Sequence, residues 1–320
     1  MVNRNSKKAL APLLIISAAS CWGCIGLFTR PLAAAGLTSA QIAFLRSAIS
    51  AVLVWLFLAV FDRQKLKVQL SDLWLFVGTG VLSLVLFSVL YFTAQQLTGL
   101  SAASVLLYTA PCFVMIMSAI FFHEIITGRK ILALGLAFAG CICTTGLLSS
   151  LFVGGGGLST AGILCGIGSG LGYALYSIFG NAALKKYSSV TVTAYTFLFS
   201  ALALIPFCLR GSLFSALGDS SVIKTSLLLS LISTIAPYLL YTAGLSLTQP
   251  GKASVMAFAE PVVATLVGVA VFGERLTASG IAGIALIFIS LIILNTGKAP
   301  SENTCPACEE KNFFKEEIKP

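Results

Sequence analysis

Ten long runs of apolar residues follow one another along the chain, separated by short polar segments. The runs cover residues 10–29, 40–61, 73–93, 102–122, 131–150, 160–180, 190–209, 225–245, 253–272 and 278–294. A helix needs about 20 mainly apolar residues to cross the hydrocarbon core of a bilayer, and every run approaches or exceeds that length. The pattern therefore predicts an all-α integral membrane protein with ten transmembrane helices.

The composition supports a chain that is surrounded by lipid. Hydrophobic residues make up 58% of the 320 residues, charged residues make up only 10%, and the mean hydropathy is +0.98. The net charge of +9 is scattered over short loops, without the continuous basic face that a nucleic acid partner requires. The sequence therefore leaves no room for a soluble catalytic domain and gives no support to nucleic acid binding.

The loop charges predict how the chain is threaded through the membrane. With a cytoplasmic N-terminus, the cytoplasmic segments before the C-terminal tail carry eleven Lys and Arg residues, and the external loops carry four. The external four are Arg30, Arg210, Lys224 and Arg275. This bias matches the positive-inside rule, so we expect a multi-pass protein of the cytoplasmic membrane with both termini in the cytoplasm.

The two halves of the chain resemble each other when residue n is aligned with residue n+150. Between residues 91 and 142, fourteen of 52 positions are identical without a gap, including matched Pro, Glu, Ser and Thr residues. Each half holds five runs, an odd number, so the second half must enter the membrane in the opposite direction. The sequence predicts two inverted five-helix repeats, an arrangement typical of transporters.

This organisation divides the chain into five segments. We expect a cytoplasmic N-terminal segment at 1–9, the first repeat at 10–150 and the second repeat at 160–296. A Gly-rich connecting loop at 151–159 separates the repeats, and a polar cytoplasmic tail occupies 297–320. Glu124 and Glu274 close the fourth run of each repeat, and we expect them to satisfy the N-termini of the helices that follow.

Short motifs in both halves carry a family resemblance. They are Trp22-Gly23 in the first helix, Arg46 in the second, the stretch 103–124, and its fuller second copy at 253–261, which is followed by Gly-Glu-Arg-Leu-Thr at 273–277. On these motifs the sequence resembles the drug/metabolite transporter superfamily, specifically its EamA-type members. The first copy departs from the family pattern, since Ala110 precedes Pro111 and His123 stands in place of glycine.

The resemblance implies a fold with a central cavity and a function in transport by alternating access. We expect a secondary active transporter, a permease or exporter of a small polar metabolite such as an amino acid, with proton coupling as one option. An uptake permease for a sugar or a carboxylate is an alternative. An alternative of another class is a membrane scaffold or sensor that acts through the C-terminal tail.

Only two ionisable side chains fall well inside the predicted spans, Arg46 and Glu260. A charge near the centre of a bilayer costs at least about 2.5 to 3.5 kcal/mol, so such residues usually face a cavity or a partner. The planar guanidinium of Arg46 could bind a substrate carboxylate, and the alternative is that it snorkels to the interface or ties two helices together through backbone carbonyls. Burial favours the neutral form of a carboxyl group, which makes Glu260 the candidate for proton coupling, with helix-to-helix bonding as the alternative.

Polar and aromatic residues inside the spans complete the candidate site. The proposed substrate-binding residues besides Arg46 are Trp22, Ser104, Tyr108, Tyr173, Tyr176, Tyr238, Ser254 and Phe258. Tyr91 and Tyr241 lie near helix ends, where an interfacial aromatic belt explains them better. Pro111 and Pro261 occupy matching positions and predict a helix kink in each repeat.

The sequence gives no support to a catalytic, metal or cofactor function. His123 is the only histidine, and the lone Cys305-Pro306-Ala307-Cys308 motif supplies only two ligands. A Gly-Lys-Ser/Thr phosphate loop is absent from the sequence, which argues against direct coupling to ATP. The expected partners are a small-molecule substrate and the lipid bilayer, and a single chain suffices for the expected function.

Overall fold

The computed structural model of the protein describes residues 4–147, 159–208 and 213–296. Residues 151–158 of the predicted connecting loop, the tail from residue 297 and Arg210 lie outside the described residues. Within the described ranges, the regular structure is entirely helical. The fold-class prediction is confirmed, because the chain is an all-α membrane protein.

Ten long helices form the bundle. They are α1 (Leu10–Ala34), α2 (Ser39–Phe61), α3 (Leu70–Thr98), α4 (Leu100–Phe122), α5 (Gly128–Thr144), α6 (Thr160–Ala183), α7 (Ser189–Cys208), α8 (Ser220–Leu245), α9 (Pro250–Phe272) and α10 (Ala278–Thr296). Nine of these helices are long and apolar enough to cross a membrane. The tenth, α5, has 17 residues and ends at Thr144, earlier than the sequence pattern predicted.

The packing of the helices repeats the sequence symmetry. Helices α1, α3 and α4 of the first repeat correspond to α6, α8 and α9 of the second. The contact of α3 with α6 therefore matches that of α8 with α1, and the contact of α4 with α6 matches that of α9 with α1. Three further pairs, α2 with α7, α4 with α9 and α5 with α10, are their own counterparts. Each five-helix repeat therefore packs against the other around a pseudo-twofold axis, as an inverted pair does.

The pair formed by α5 and α10 illustrates this symmetry at the level of atoms. A Cβ on Gly140 would lie 2.7 Å from the carbonyl oxygen of Gly283, so the two backbones touch there. At the symmetry-related crossing, the hydroxyl of Ser290 donates to the carbonyl of Ala133 at 2.6 Å. Small residues allow such close approach in lipid, where packing drives helix association.

Irregular backbone also occurs in matched places. A π-helical segment interrupts α3 at Gly78–Val85 and α8 at Leu231–Ile235. The helix breaks at Tyr108–Thr109 in α4 and at Ala257–Phe258 in α9. Pro111 and Pro261 lie in the first turn of the half-helices that follow, where a missing N–H breaks no helical hydrogen bond.

Both broken helices end with a residue in the left-handed conformation. His123 has φ 53° and its counterpart Gly273 has φ 67°. The histidine thus adopts the backbone that the second copy gives to glycine, and the turn is the same in both repeats. The sequence departure at this position changes the residue and keeps the geometry.

Candidate functional site

A cavity lies between α1, α3, α6 and α8, close to the pseudo-twofold axis. Its free space is small, about 10 Å³, which is roughly the room for a single water molecule, so the side chains that line the cavity nearly close it. The residues that line it are Trp22, Ser83, Leu84, Phe87, Tyr173, Tyr176, Tyr238 and Tyr241. Five of these eight side chains are Trp or Tyr, so the wall combines apolar rings with hydroxyl and indole hydrogen-bonding groups.

Trp22 is the centre of the aromatic wall. Its ring centroid lies 5.4 Å from those of Tyr238 and Tyr241 and 6.2 Å from that of Tyr173. The rings of Trp22 and Tyr238 meet nearly at right angles, at 80°. Edge-to-face contacts of this kind are favourable and fix each ring in one orientation, which gives the cavity a defined shape.

Two hydrogen bonds between α6 and α8 anchor the wall. The hydroxyls of Tyr176 and Thr242 are 2.6 Å apart, and those of Ser177 and Tyr241 are 2.8 Å apart. All four side chains are buried. Because an unsatisfied hydroxyl is costly in an apolar interior, these bonds determine which way each phenol points.

Arg46 and Glu260 both act on this aromatic group. The guanidinium of Arg46, from α2, lies within electrostatic range of Tyr238 and of Glu260. Four ion pairs within 4.0 Å occur among the described residues, and Arg46 with Glu260 is not one of them. The two charges therefore face a common region while remaining available to other partners.

Glu260 lies where α9 resumes after its break. It belongs to the first turn of the half-helix Ala259–Phe272, where the helix dipole favours a negative charge. The charge of Glu260 acts on Tyr108, which lies at the break of α4, and also on Tyr91 and Tyr173. The carboxyl group is thus connected both to the broken part of α4 and to the cavity wall.

The two charged residues break the symmetry of the scaffold. The counterparts of Arg46 and Glu260 are Thr196 and Ala110, both uncharged. Thr196 is bonded to Thr79 at 2.6 Å inside the bundle. By contrast, Tyr108 and Phe258 are counterparts of each other and stack across the axis at 5.6 Å.

The structure brings some of the predicted residues together and separates others. Trp22, Tyr173, Tyr176 and Tyr238 all line the cavity. Neither Ser104 nor Ser254 lines the cavity. The hydroxyl of Ser104 is bonded to that of Tyr91 at 3.0 Å, and the hydroxyl of Ser254 donates to the carbonyl of Gly251, one turn earlier. Tyr108 and Phe258 lie at the helix breaks, outside the lining.

Tyr241 is a correction to the sequence analysis. Its side chain is 1% exposed and packs against Trp22, so it does not belong to an interfacial belt. A signal was present, since Tyr241 lies three residues after Tyr238 and therefore on the same face of a helix. Ser83, Leu84 and Phe87 were missed because their orientation depends on the π-helical segment of α3.

Charged groups tie the loops at each end of the bundle. At the end that carries loops 123–127, 184–188 and 246–249, called the first end here, Lys130 bonds to Glu124 at 2.7 Å and to Gln249 at 2.9 Å. Asp72, also at the first end, accepts bonds from Lys186 and Tyr187. The hydrogen bond to Asp72 raises the pKa of Lys186.

At the opposite or second end, which carries loops 35–38 and 273–277, Arg30 pairs with Glu274 at 2.7 Å. The expected capping role of the two glutamates is wrong, because the hydroxyls of Thr127 and Thr277 cap α5 and α10 instead. Glu124 does satisfy a backbone N–H near a helix start, but it is that of Gly251 in α9.

Comparisons with known proteins agree with this architecture. The EamA-like transporter family matches the chain twice, over residues 9–146 and 160–296. An "uncharacterized transporter" of Archaeoglobus fulgidus is 30% identical over 258 residues, which cover 81% of this chain and 89% of that protein. The "uncharacterized transporter YwfM" of Bacillus subtilis is 28% identical, covering 88% and 93% of the two chains.

Two further similarities concern the membrane and the fold. The "uncharacterized inner membrane transporter YicL" of Salmonella typhimurium is 25% identical, covering 91% of this chain and 96% of that protein. A solved crystal structure covers 90% of this chain with a TM-score of 0.72 at 18% identity, which demonstrates a shared fold. With the family match extending over both repeats, the chain is a membrane transporter and belongs to the EamA-like transporter family.

Proposed function

We propose that the protein is a secondary active transporter that exports a small zwitterionic metabolite, most simply an amino acid, by alternating access. One observation carries the proposal: the two ionisable side chains well inside the spans, Arg46 and Glu260, both lie within electrostatic range of Tyr238, which lines the aromatic cavity. Their charges are opposite, as are those of a carboxylate and an ammonium group. An aromatic wall between them suits the apolar part of such a solute.

Each charged residue has a separate role in this proposal. Arg46 binds the carboxylate of the solute, because its planar donors match that geometry. Glu260 binds either the ammonium group or a proton, so that loading of one releases the other. This exchange couples export to the entry of protons.

Both termini are proposed to be cytoplasmic, which places the first end of the bundle inside the cell. Lys130, Lys186 and the basic loop around Lys65 then lie on the cytoplasmic side, and Arg275 lies outside. Attachment of membrane-impermeant tags at positions 130 and 275 should label opposite sides. Labelling from one side alone would exclude the inverted arrangement.

The test is a flux screen in proteoliposomes, with and without a pH gradient. Amino acids, sugars and carboxylates are compared, and each transported amino acid is paired with its carboxamide and its N-acetyl derivative. We expect the parent amino acid to be transported and both blocked derivatives to be excluded. If a sugar or a simple carboxylate is transported equally well, the proposed substrate class is a sugar or a carboxylate instead of a zwitterion.

Two variants assign the roles of the charges. Glu260→Gln should retain the fold and flatten the dependence of flux on the pH gradient, whereas Arg46→Gln should remove the preference for the free acid over its amide. Asp62→Asn is the matched control, since it also converts an acid to an amide but lies in an exposed loop. Unchanged pH dependence in Glu260→Gln would contradict proton coupling.

A further inference from the structure

The first end of the bundle contains a charged network that connects the two repeats. The carboxylate of Glu124 accepts hydrogen bonds from Ser118, from Lys130 and, at 3.0 Å, from the backbone N–H of Gly251. Lys130 in turn donates to Gln249 at 2.9 Å. Ser118, Glu124 and Lys130 belong to the first repeat, and Gln249 and Gly251 belong to the second, so the network holds α4 and α5 against the start of α9.

Burial makes this network strong. The side chain of Glu124 is 4% exposed and that of Lys130 is 12% exposed, so water screens the pair poorly. A buried carboxylate that loses its donors is left with an uncompensated charge. Opening of the first end therefore requires Glu124 to be rehydrated or to find other partners.

The close approach of Glu124 depends on glycine at position 251. A Cβ built on Gly251 would lie 2.7 Å from Oε1 of Glu124, well inside van der Waals contact. The counterpart of Gly251 in the first repeat is Ser101, which carries a Cβ. An equivalent approach of Glu274 to residue 101 at the second end would meet that atom.

The other partners of Glu124 are also missing around its counterpart. Ser118 and Lys130 correspond to Gly268 and Gly280, which have no side chains to donate a hydrogen bond. Glu274 is half-exposed and pairs with Arg30, itself half-exposed. In the part of the chain that the structure describes, the network thus exists at one end only, within a scaffold whose helices are symmetric.

We propose that Glu124, Lys130 and Gly251 form a one-sided latch that closes the first end and must open before solute can pass there. The inference rests on alternating access, in which closure of one end accompanies opening of the other. A latch at the first end alone favours the state in which that end is closed. It therefore sets the balance between the two states independently of the solute.

Hydrogen exchange of the full chain in lipid nanodiscs tests the latch without any solute. Glu124→Gln should raise exchange at 250–256, at the first end, by about tenfold or more, because a hydrogen bond to a charged acceptor is lost. The same variant should lower exchange at 100–107, at the second end, because the population shifts to the opposite state. A rise at the first end without a fall at the second would indicate local loosening and overturn the proposal.

Two further variants make the result decisive. Gly251→Ala should act in the same direction as Glu124→Gln, because the added methyl group displaces the carboxylate, and it replaces that variant if the latter does not fold. Glu274→Gln is the matched control on the symmetry-related glutamate and should leave exchange at 250–256 unchanged. If the protein transports solute but Glu124→Gln does not change hydrogen exchange in opposite directions at 250–256 and 100–107, the latch is refuted and the transport function stands. If the exchange changes as expected but no solute is transported, the proposed transport function is refuted.

Discussion

The contact of α1 with α9 passes directly beside Glu260, and a single methyl group should disturb it. A Cβ on Gly23 would lie 2.7 Å from the Cβ of Val263 and 2.8 Å from the carbonyl oxygen of Glu260. Carbon atoms pack best at roughly 3.5–4.0 Å, so Gly23→Ala requires the two helices to separate by about 1 Å. Both contacts involve rigid parts of α9, which cannot turn away as the tip of a flexible side chain could.

The expected cost follows from this shortfall. Overpacking of a well-packed interior usually costs about 1–3 kcal/mol, which corresponds to a factor of roughly 5 to 150 in the folding equilibrium. We expect a lower midpoint of thermal unfolding in detergent and, because the backbone of Glu260 is displaced, a weaker dependence of flux on the pH gradient.

Gly26→Ala is the matched control for this prediction. Gly26 lies on the same helix, and a Cβ there would meet no atom within 4 Å. The control should unfold at the wild-type temperature or slightly above it. If Gly23→Ala and Gly26→Ala unfold at the same temperature, the close contact between α1 and α9 does not exist as described.

Two further substitutions test the packing and the first end. Gly140→Ala places a Cβ 2.7 Å from the carbonyl oxygen of Gly283 and should lower the midpoint of thermal unfolding. Gly135→Ala, on the same helix with open space around it, should leave the midpoint unchanged. Equal midpoints for the two variants would contradict the crossing of α5 and α10. Asp72→Asn weakens the bonds from Lys186 and Tyr187 and should reduce the free energy of unfolding by about 1 kcal/mol. An unchanged midpoint of thermal unfolding would mean that the two bonds together contribute nothing.

The helix count and the repeat were predictable because hydropathy and the n+150 identities are properties of the chain itself. The rotation of each helix about its axis is a property of the packing, and it decides which residues reach the cavity. Ser104 and Ser254 were predicted as site residues because they are polar; in the structure Ser104 bonds to Tyr91 of α3, Ser254 bonds to the carbonyl of Gly251, and neither lines the cavity. Tyr241 was assigned to the interface, although the close packing of α1 and α8 buries it beside Trp22.

The sequence predicted an interruption in α4 and in α9, but it placed each one at the wrong residues. Proline indicated a kink at residues 111 and 261, whereas the interruptions start earlier, at Tyr108, three residues before Pro111, and at Ala257, four residues before Pro261. The missing N–H of a proline is tolerated in the first turn of a helix, so the chain places the break before it. This position leaves Glu260 in a first turn, beside the break, which sequence alone could not establish.

In the proposed function, the symmetry of the scaffold explains why single charges bind the solute and the proton. Two inverted repeats can exchange their packing with little net change in contacts, which keeps the two states of a transporter close in free energy. A site that binds one oriented solute cannot share that symmetry, and here the charged residues Arg46 and Glu260 correspond to Thr196 and Ala110. The same separation applies at the ends, where Glu124 is buried in a network and Glu274 is half-exposed. The transport cycle can therefore combine helices that are equivalent in the two repeats with charged side chains that occur in only one of them. Substitutions at these unmatched charges should change selectivity, coupling and the balance between the two states while leaving the fold intact.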